Sequence, residues 1–170
     1  ESGEICVRGP GVNADVYADP SKNRGMLTAD GFLRTGDLGR LDADGYLWIT
    51  GRAKDLIIRG GHNIDPAEIE DALMRHPDVT FVGAIGQPDA HSGEVPAAYV
   101  ELASGAAATV DELMRFARDH IPEQAAVPKH LEVLPELPKT AVGKIFKPDL
   151  RRLAIRRVYT EALSAAGRPE

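Results

Sequence analysis

The chain has a single cysteine, Cys6, so no internal disulfide forms and nothing calls for an oxidising compartment; a reducing cytoplasm is the expected setting. No apolar run approaches the roughly 18 residues of a membrane-spanning helix, and the amino-terminal end lacks a basic stretch followed by an apolar one. Neither a transmembrane segment nor a secretory leader is expected. Positive charge is in deficit, with 20 Lys plus Arg against 26 Asp plus Glu, which argues against a nucleic-acid binder that neutralises phosphates with a basic surface. On the last predicted helix no aromatic residue interleaves between Arg151 and Arg157, so a stacking platform for single strands is not expected there either. His76, His91, His120 and His130 show no metal-ligand spacing, and no metal ligand is assigned. What is present is a 43% hydrophobic composition over 170 residues, enough for one or two globular domains without covalent staples. The chain opens on Glu-Ser-Gly-Glu with no initiator Met and a strand pattern almost at once, as expected of a piece cut from a larger protein.

The first fifty residues read as β structure, alternating through Glu4-Ile5-Cys6-Val7-Arg8 and again through Tyr46-Leu47-Trp48-Ile49, with hairpin-turn chemistry at Asp42-Ala43-Asp44-Gly45. Residues 13–31 are rich in Asp, Asn, Pro and Gly and read as a long surface connection with one short helical turn. Beyond Gly51 helices and strands mix. Asp65-Pro66-Ala67-Glu68 predicts a helix start, with Asp65 as N-cap, Pro66 at the first helical position and Glu68 completing a capping box. Strands are expected over 79–85 and 94–102, joined by a turn at 87–93. Thr109-Val110-Asp111-Glu112 is a second capping box, opening a helix with Leu113, Phe116, Ala117 and Ile121 on one face. A strand over 131–134 and a last helix over 148–163 complete the pattern. This order predicts an α+β module, a small mixed domain with an antiparallel sheet and packed helices, separated from the β-rich start by a linker at 51–55.

Three segments carry the chemical information. They are Phe32-Leu33-Arg34-Thr35-Gly36-Asp37-Leu38, the run from Gly51-Arg52-Ala53-Lys54-Asp55 through Arg59-Gly60-Gly61-His62 to Glu70, and Pro138-Lys139-Thr140-Ala141-Val142-Gly143-Lys144. In this order and spacing they resemble the last core motifs of the adenylate-forming superfamily, and more closely those of AMP-forming acyl-CoA synthetases than those of peptide-synthetase adenylation domains. The resemblance covers nearly the whole chain. It implies that residues 1–50 are the β-rich end of a large amino-terminal adenylation domain, 51–55 a hinge, 56–165 the carboxy-terminal lid domain and 166–170 a tail.

It also implies roles for particular residues. Asp37 would grip both ribose hydroxyls of ATP, since an ionised carboxylate only accepts hydrogen bonds. Arg52 would add a rigid guanidinium fork near ribose or phosphate. Lys144 would be the catalytic lysine, an ammonium set between two anions, the substrate carboxylate and the α-phosphate. Lys54 would be the pivot about which the small domain rotates, withdrawing Lys144 and bringing the Gly60-Gly61 loop to line the route of the coenzyme A pantetheine. From the residues alone Gly60-Gly61 reads as a tight turn between two strands, and both readings can hold together. The substrates implied are a carboxylic acid, expected to be fatty, ATP with Mg²⁺ and CoA, with none of these held by the fragment alone. The partners implied are the missing large domain and an acetyltransferase that would switch Lys144 off by removing its charge. Alone, the chain is expected to be inactive. Two other readings stay open: delivery of the acyl group to a carrier protein, and a non-catalytic interaction module. Ala125 and Ala126, ahead of Val127-Pro128-Lys129, depart from the aromatic and basic residues that many relatives carry there. The basic run Lys147, Arg151, Arg152, Arg156 and Arg157 reads either as a solvated face or as a docking surface for phosphates or the large domain.

Overall fold

The computed structural model describes residues 2–12, 20–23 and 25–167, which fall into two compact units dividing between Lys54 and Asp55. The first unit is an antiparallel three-stranded sheet in the order β1 (Ser2–Val7), β2 (Leu33–Leu41), β3 (Leu47–Arg52). Asp42 makes the β2–β3 turn: its Oδ1 accepts from the N–H groups of Asp44 and Tyr46, and its Oδ2 from the Trp48 indole at 2.7 Å. Of the connection expected over 13–31, residues 13–19 and 24 lie outside the described residues, and α1 (Pro20–Asn23) is the expected helical turn.

The second unit begins with a 3₁₀ turn through Asp55 and continues as β4 (Ile57–Arg59), β5 (His62–Ile64), α2 (Pro66–Leu73), β6 (Val79–Asp89), β7 (Gly93–Leu102), α3 (Val110–His120), β8 (His130–Val133) and α4 (Lys147–Ala165). Its five-stranded sheet is antiparallel except for one pair. β8 runs parallel to β7, as a connection through the crossover helix α3 allows. β7 is central, paired with β6 along its whole length on one edge and with β4 and then β8 on the other.

Strand alternation divides the core in two. Ala98 and Val100 of β7 pack with Val82 and Ala84 of β6 against Ile69 and Leu73 of α2 and Leu113 and Ala117 of α3. Ala97 and Tyr99 face the other way, with Ile85, Leu137 and Leu150 and Ala154 of α4. Gly83 lets α4 approach, since a Cβ there would stand 2.4 Å from Leu150 Cδ1. Each buried leucine or isoleucine contributes about 1.5–3 kcal/mol.

The helix starts differ from one another. α3 has the full capping box, with Glu112 N–H donating to Thr109 Oγ1 and Thr109 N–H donating to Glu112 Oε2. At α2, Asp65 Oδ1 accepts from Ala67 N–H at 2.9 Å, but Glu68 makes no return bond among those described. Burial, together with the charges of Glu123 and Asp65, instead raises the Glu68 pKa. β6 extends four residues beyond its expected end, through Pro88, because β6 is an edge strand and the missing proline donor costs it no ladder bond on the open side.

Candidate functional site

In the first unit Asp37 and Arg52 are directly paired across β2 and β3, and Arg52 Nε donates to Asp37 Oδ1 at 2.8 Å. The approach to Asp37 is fixed by Thr35, whose hydroxyl donates to the Ile5 carbonyl at 2.8 Å and accepts from Asp37 N–H at 3.1 Å. Arg52 thus presents a rigid guanidinium fork to an acceptor carboxylate. Lys54 lies in the 3₁₀ turn Ala53–Asp55, and the division between the units falls directly after it. Asp55 is tied into the second unit by Arg151 Nη2 at 3.2 Å.

Lys144 sits on a tight hairpin. Lys139 and Ile145 form its bridge, Thr140 N–H donates to the Lys144 carbonyl at 2.7 Å, and Gly143 N–H donates to the Thr140 carbonyl at 2.8 Å. Gly143 has φ +80°, a value that a side chain there would strain, which accounts for glycine just before the lysine. Thr140 Oγ1 accepts from Lys144 N–H at 3.2 Å. The Lys144 side chain itself is exposed, and its ammonium makes no ion pair among the described residues. An unpaired cation on a stiff support can engage an arriving anion without first breaking a bond.

Gly60 and Gly61 are the two-residue turn between β4 and β5, with φ +56° and +90°. Two successive positive φ values match a type I′ hairpin, whose twist suits the flanking strands. Gly60 N–H donates to the Ser92 carbonyl at 2.8 Å, and Arg59 Nη1 donates to the Ala125 carbonyl at 2.5 Å. The tight-turn reading and the ligand-lining reading of this pair are therefore compatible. The two hairpins are braced at opposite ends of β7, one near Gly93 and the other at Glu101, about 26 Å apart at the rise of an extended strand.

Several contributors were not singled out by sequence reasoning. Glu101 Oε2 accepts from Lys139 Nζ at 2.7 Å and from Leu137 N–H at 2.8 Å, and Lys147 pairs with Glu70 Oε1 at 2.8 Å. These partners are separated by tens of residues, so no local pattern announces them. Ala126 is fully buried and Ala125 supplies the carbonyl that Arg59 holds, so the departure at these positions is absorbed into packing. Within the basic run, Lys147, Arg151, Arg152 and Arg157 are committed to Glu70, Asp55, Asp149 and Glu161. Lys147, Arg151 and Arg157 are mostly covered, so they act as ion-pair anchors of α4, and neither the solvated-face nor the phosphate-docking reading describes them. Among the described residues no cluster of His, Cys, Asp and Glu suits a metal ion, and no helix is long and apolar enough to cross a membrane.

The family model for the AMP-binding enzyme C-terminal domain matches residues 68–144, the stretch that runs from α2 to the lysine hairpin. The chain belongs to the AMP-binding, adenylate-forming family. Marinolic acid–CoA ligase of a Pseudoalteromonas species is 49% identical over 97% of the chain, and the chain spans 25% of that relative. A long-chain-fatty-acid–CoA ligase of Bacillus subtilis is 44% identical over 88% of the chain, which spans 26% of it. The crystal structure of ATP-bound MatB from Rhodopseudomonas palustris superposes with a TM-score of 0.83 at 35% identity, over 90% of this chain and 30% of that one. As an AMP-binding C-terminal domain, the second unit has the small mixed α+β architecture expected for it.

Proposed function

We propose that the chain is the carboxy-terminal part of an AMP-forming carboxylic acid:CoA ligase acting in the cytoplasm. In the first half-reaction an oxygen of the substrate carboxylate attacks the α-phosphorus of ATP. The bond to the departing pyrophosphate breaks, leaving an acyl-adenylate. In the second, the CoA thiol attacks the acyl carbonyl, AMP leaves, and the thiol proton is released.

Asp37, oriented by Arg52, binds the ribose hydroxyls. Lys144 offsets the charge of the two approaching anions and the charge that develops as pyrophosphate departs. Mg²⁺ arrives with ATP, on its phosphates. Rotation at Lys54 then exchanges the Lys144 hairpin for the Gly60-Gly61 hairpin, whose side-chain-free turn lets a thin pantetheine arm pass close to the backbone. The observation that carries this reading is the glycine-turned hairpin that presents Lys144 with no ion pair among the described residues.

The large domain that completes the active site is proposed as the partner of the first unit, whose Tyr46, Trp48 and Ile49 are exposed. The acid is proposed to be fatty, in keeping with the Bacillus relative, although the relatives' names span aromatic, sulfonated and branched acids as well. Acetylation of Lys144 would remove the charge the first half-reaction needs.

The test is a panel of carboxylic acids supplied with ATP and CoA to the full-length parent. Pyrophosphate release matched by acyl-CoA formation supports the reading, and the best acid names the substrate class. Pyrophosphate release without thioester formation would point to another acceptor such as a carrier protein. No pyrophosphate with any acid would refute the proposal.

A further inference from the structure

The hairpin that presents Lys144 has no core of its own: it spans a few residues, and Val142 at its tip is 79% exposed. Its stiffness must come from where it joins the sheet. On the entry side Leu137 is buried against α4, and its N–H donates to Glu101 Oε2 at 2.8 Å. Two residues on, Lys139 Nζ reaches the same oxygen at 2.7 Å while lying 4.4 Å from the centre of the Phe81 ring. The Glu101 and Lys139 side chains are only 15% and 20% exposed. At the neck, Phe146 N–H closes on the Pro138 carbonyl at 2.7 Å.

Resting on the reading of Lys144 as the catalytic lysine, we infer that Glu101 is a positioning residue for adenylation, fixing the Lys144 hairpin on the end of β7 through Lys139 and the Leu137 N–H. One carboxylate oxygen holds two points of the incoming strand, so rotation of the hairpin about either point is blocked. A charge-assisted bond shielded from water is stronger than the same pair at the surface, and without Glu101 the largely covered Lys139 keeps only the exposed Glu136 carboxylate at 4.0 Å. The burial of Glu101 raises its pKa, but the Leu137 N–H and the Lys139 ammonium outweigh that, and the net shift is downward, so the carboxylate stays charged at neutral pH. Glu101 lies on the opposite face of β7 from Glu94, which accepts from Ile58 N–H at 3.0 Å beside the Gly60-Gly61 turn. The two carboxylates therefore brace different hairpins.

The experiment compares Glu101→Gln, Lys139→Met, Lys139→Arg and Lys144→Ala in the full-length parent, assaying each half-reaction separately and following amide exchange at residues 140–146. A displacement of about 1 Å in a catalytic group is enough to cost on the order of a hundredfold in rate. Glu101→Gln and Lys139→Met are expected to lower acyl-adenylate formation by roughly 10- to 100-fold. Thioester formation from supplied acyl-adenylate is expected to stay within about twofold, exchange in the hairpin to rise, and Lys139→Arg to restore most of the loss, because it keeps the charge. Equal loss of both half-reactions, or full adenylation in Glu101→Gln while Lys144→Ala abolishes it, would overturn the positioning role. Faster hairpin exchange in Glu101→Gln alongside normal adenylation in Lys144→Ala would uphold the anchor but overturn the catalytic-lysine reading, and the positioning role in adenylation with it.

Discussion

The sheet of β1, β2 and β3 leaves Tyr46, Trp48 and Ile49 exposed, while the sheet built on β7 buries Ala97, Ala98, Tyr99 and Val100 completely. The first is held by ladder bonds and by the Asp42 turn. The second has apolar layers on both faces, one under α2 and α3 and one under α4. The candidate site residues of the two units are held accordingly. Asp37 and Arg52 are fixed by strand register, whereas Lys144 and the Gly60-Gly61 turn sit on hairpins braced against a packed sheet. A hairpin can be a precise tool only if something rigid lies beneath it, and in this protein β7 supplies that rigidity to both.

The largest effect is expected from Leu150→Ala, which empties a fully buried position beneath α4 and destabilises the second unit by about 2–5 kcal/mol. Urea unfolding followed by far-ultraviolet circular dichroism measures it, and a cost below about 1 kcal/mol would mean that this face relaxes to fill the gap. Thr109→Ala removes the side-chain half of the α3 capping box and should cost about 1 kcal/mol in the same assay. Ile49→Ser, at a position 70% exposed, is expected to change stability by no more than about 0.5 kcal/mol. Measured on this chain without the large domain, a larger loss would show that Ile49 packs against something within the chain itself.

Features carried by neighbouring residues were legible in the sequence. Thr109 and Glu112 stand three apart and form the box their spacing predicts, and Gly60-Gly61 forms the turn its composition predicts. Asp65 and Glu68 have the same spacing, yet among the described residues only Asp65 makes the expected bond, and burial together with the charges of Glu123 and Asp65 raises the Glu68 pKa. The end of β6 was hidden by Gln87-Pro88-Asp89, which reads as a turn unless the strand is known to be at an edge. At the site, Asp37, Arg52 and Lys144 stood out by motif, but the register that joins Asp37 to Arg52 is set by the hairpin as a whole. The bracing of the lysine hairpin by Glu101 crosses 38 residues. A glutamate near the end of a strand has no local mark that distinguishes it from a solvated one.

The proposed division of labour, in which the two hairpins of the second unit serve two different chemical steps, can be probed one hairpin at a time. It is tested most directly by assaying both half-reactions in the full-length parent for Lys144→Ala and for Gly61→Val, which puts a β-branched residue at φ +90°. Lys144→Ala is expected to lower acyl-adenylate formation by roughly 100- to 1000-fold and leave thioester formation from supplied adenylate intact. Gly61→Val is expected to do the reverse. If both substitutions depress the same half-reaction to the same degree, the division of labour between the hairpins is wrong.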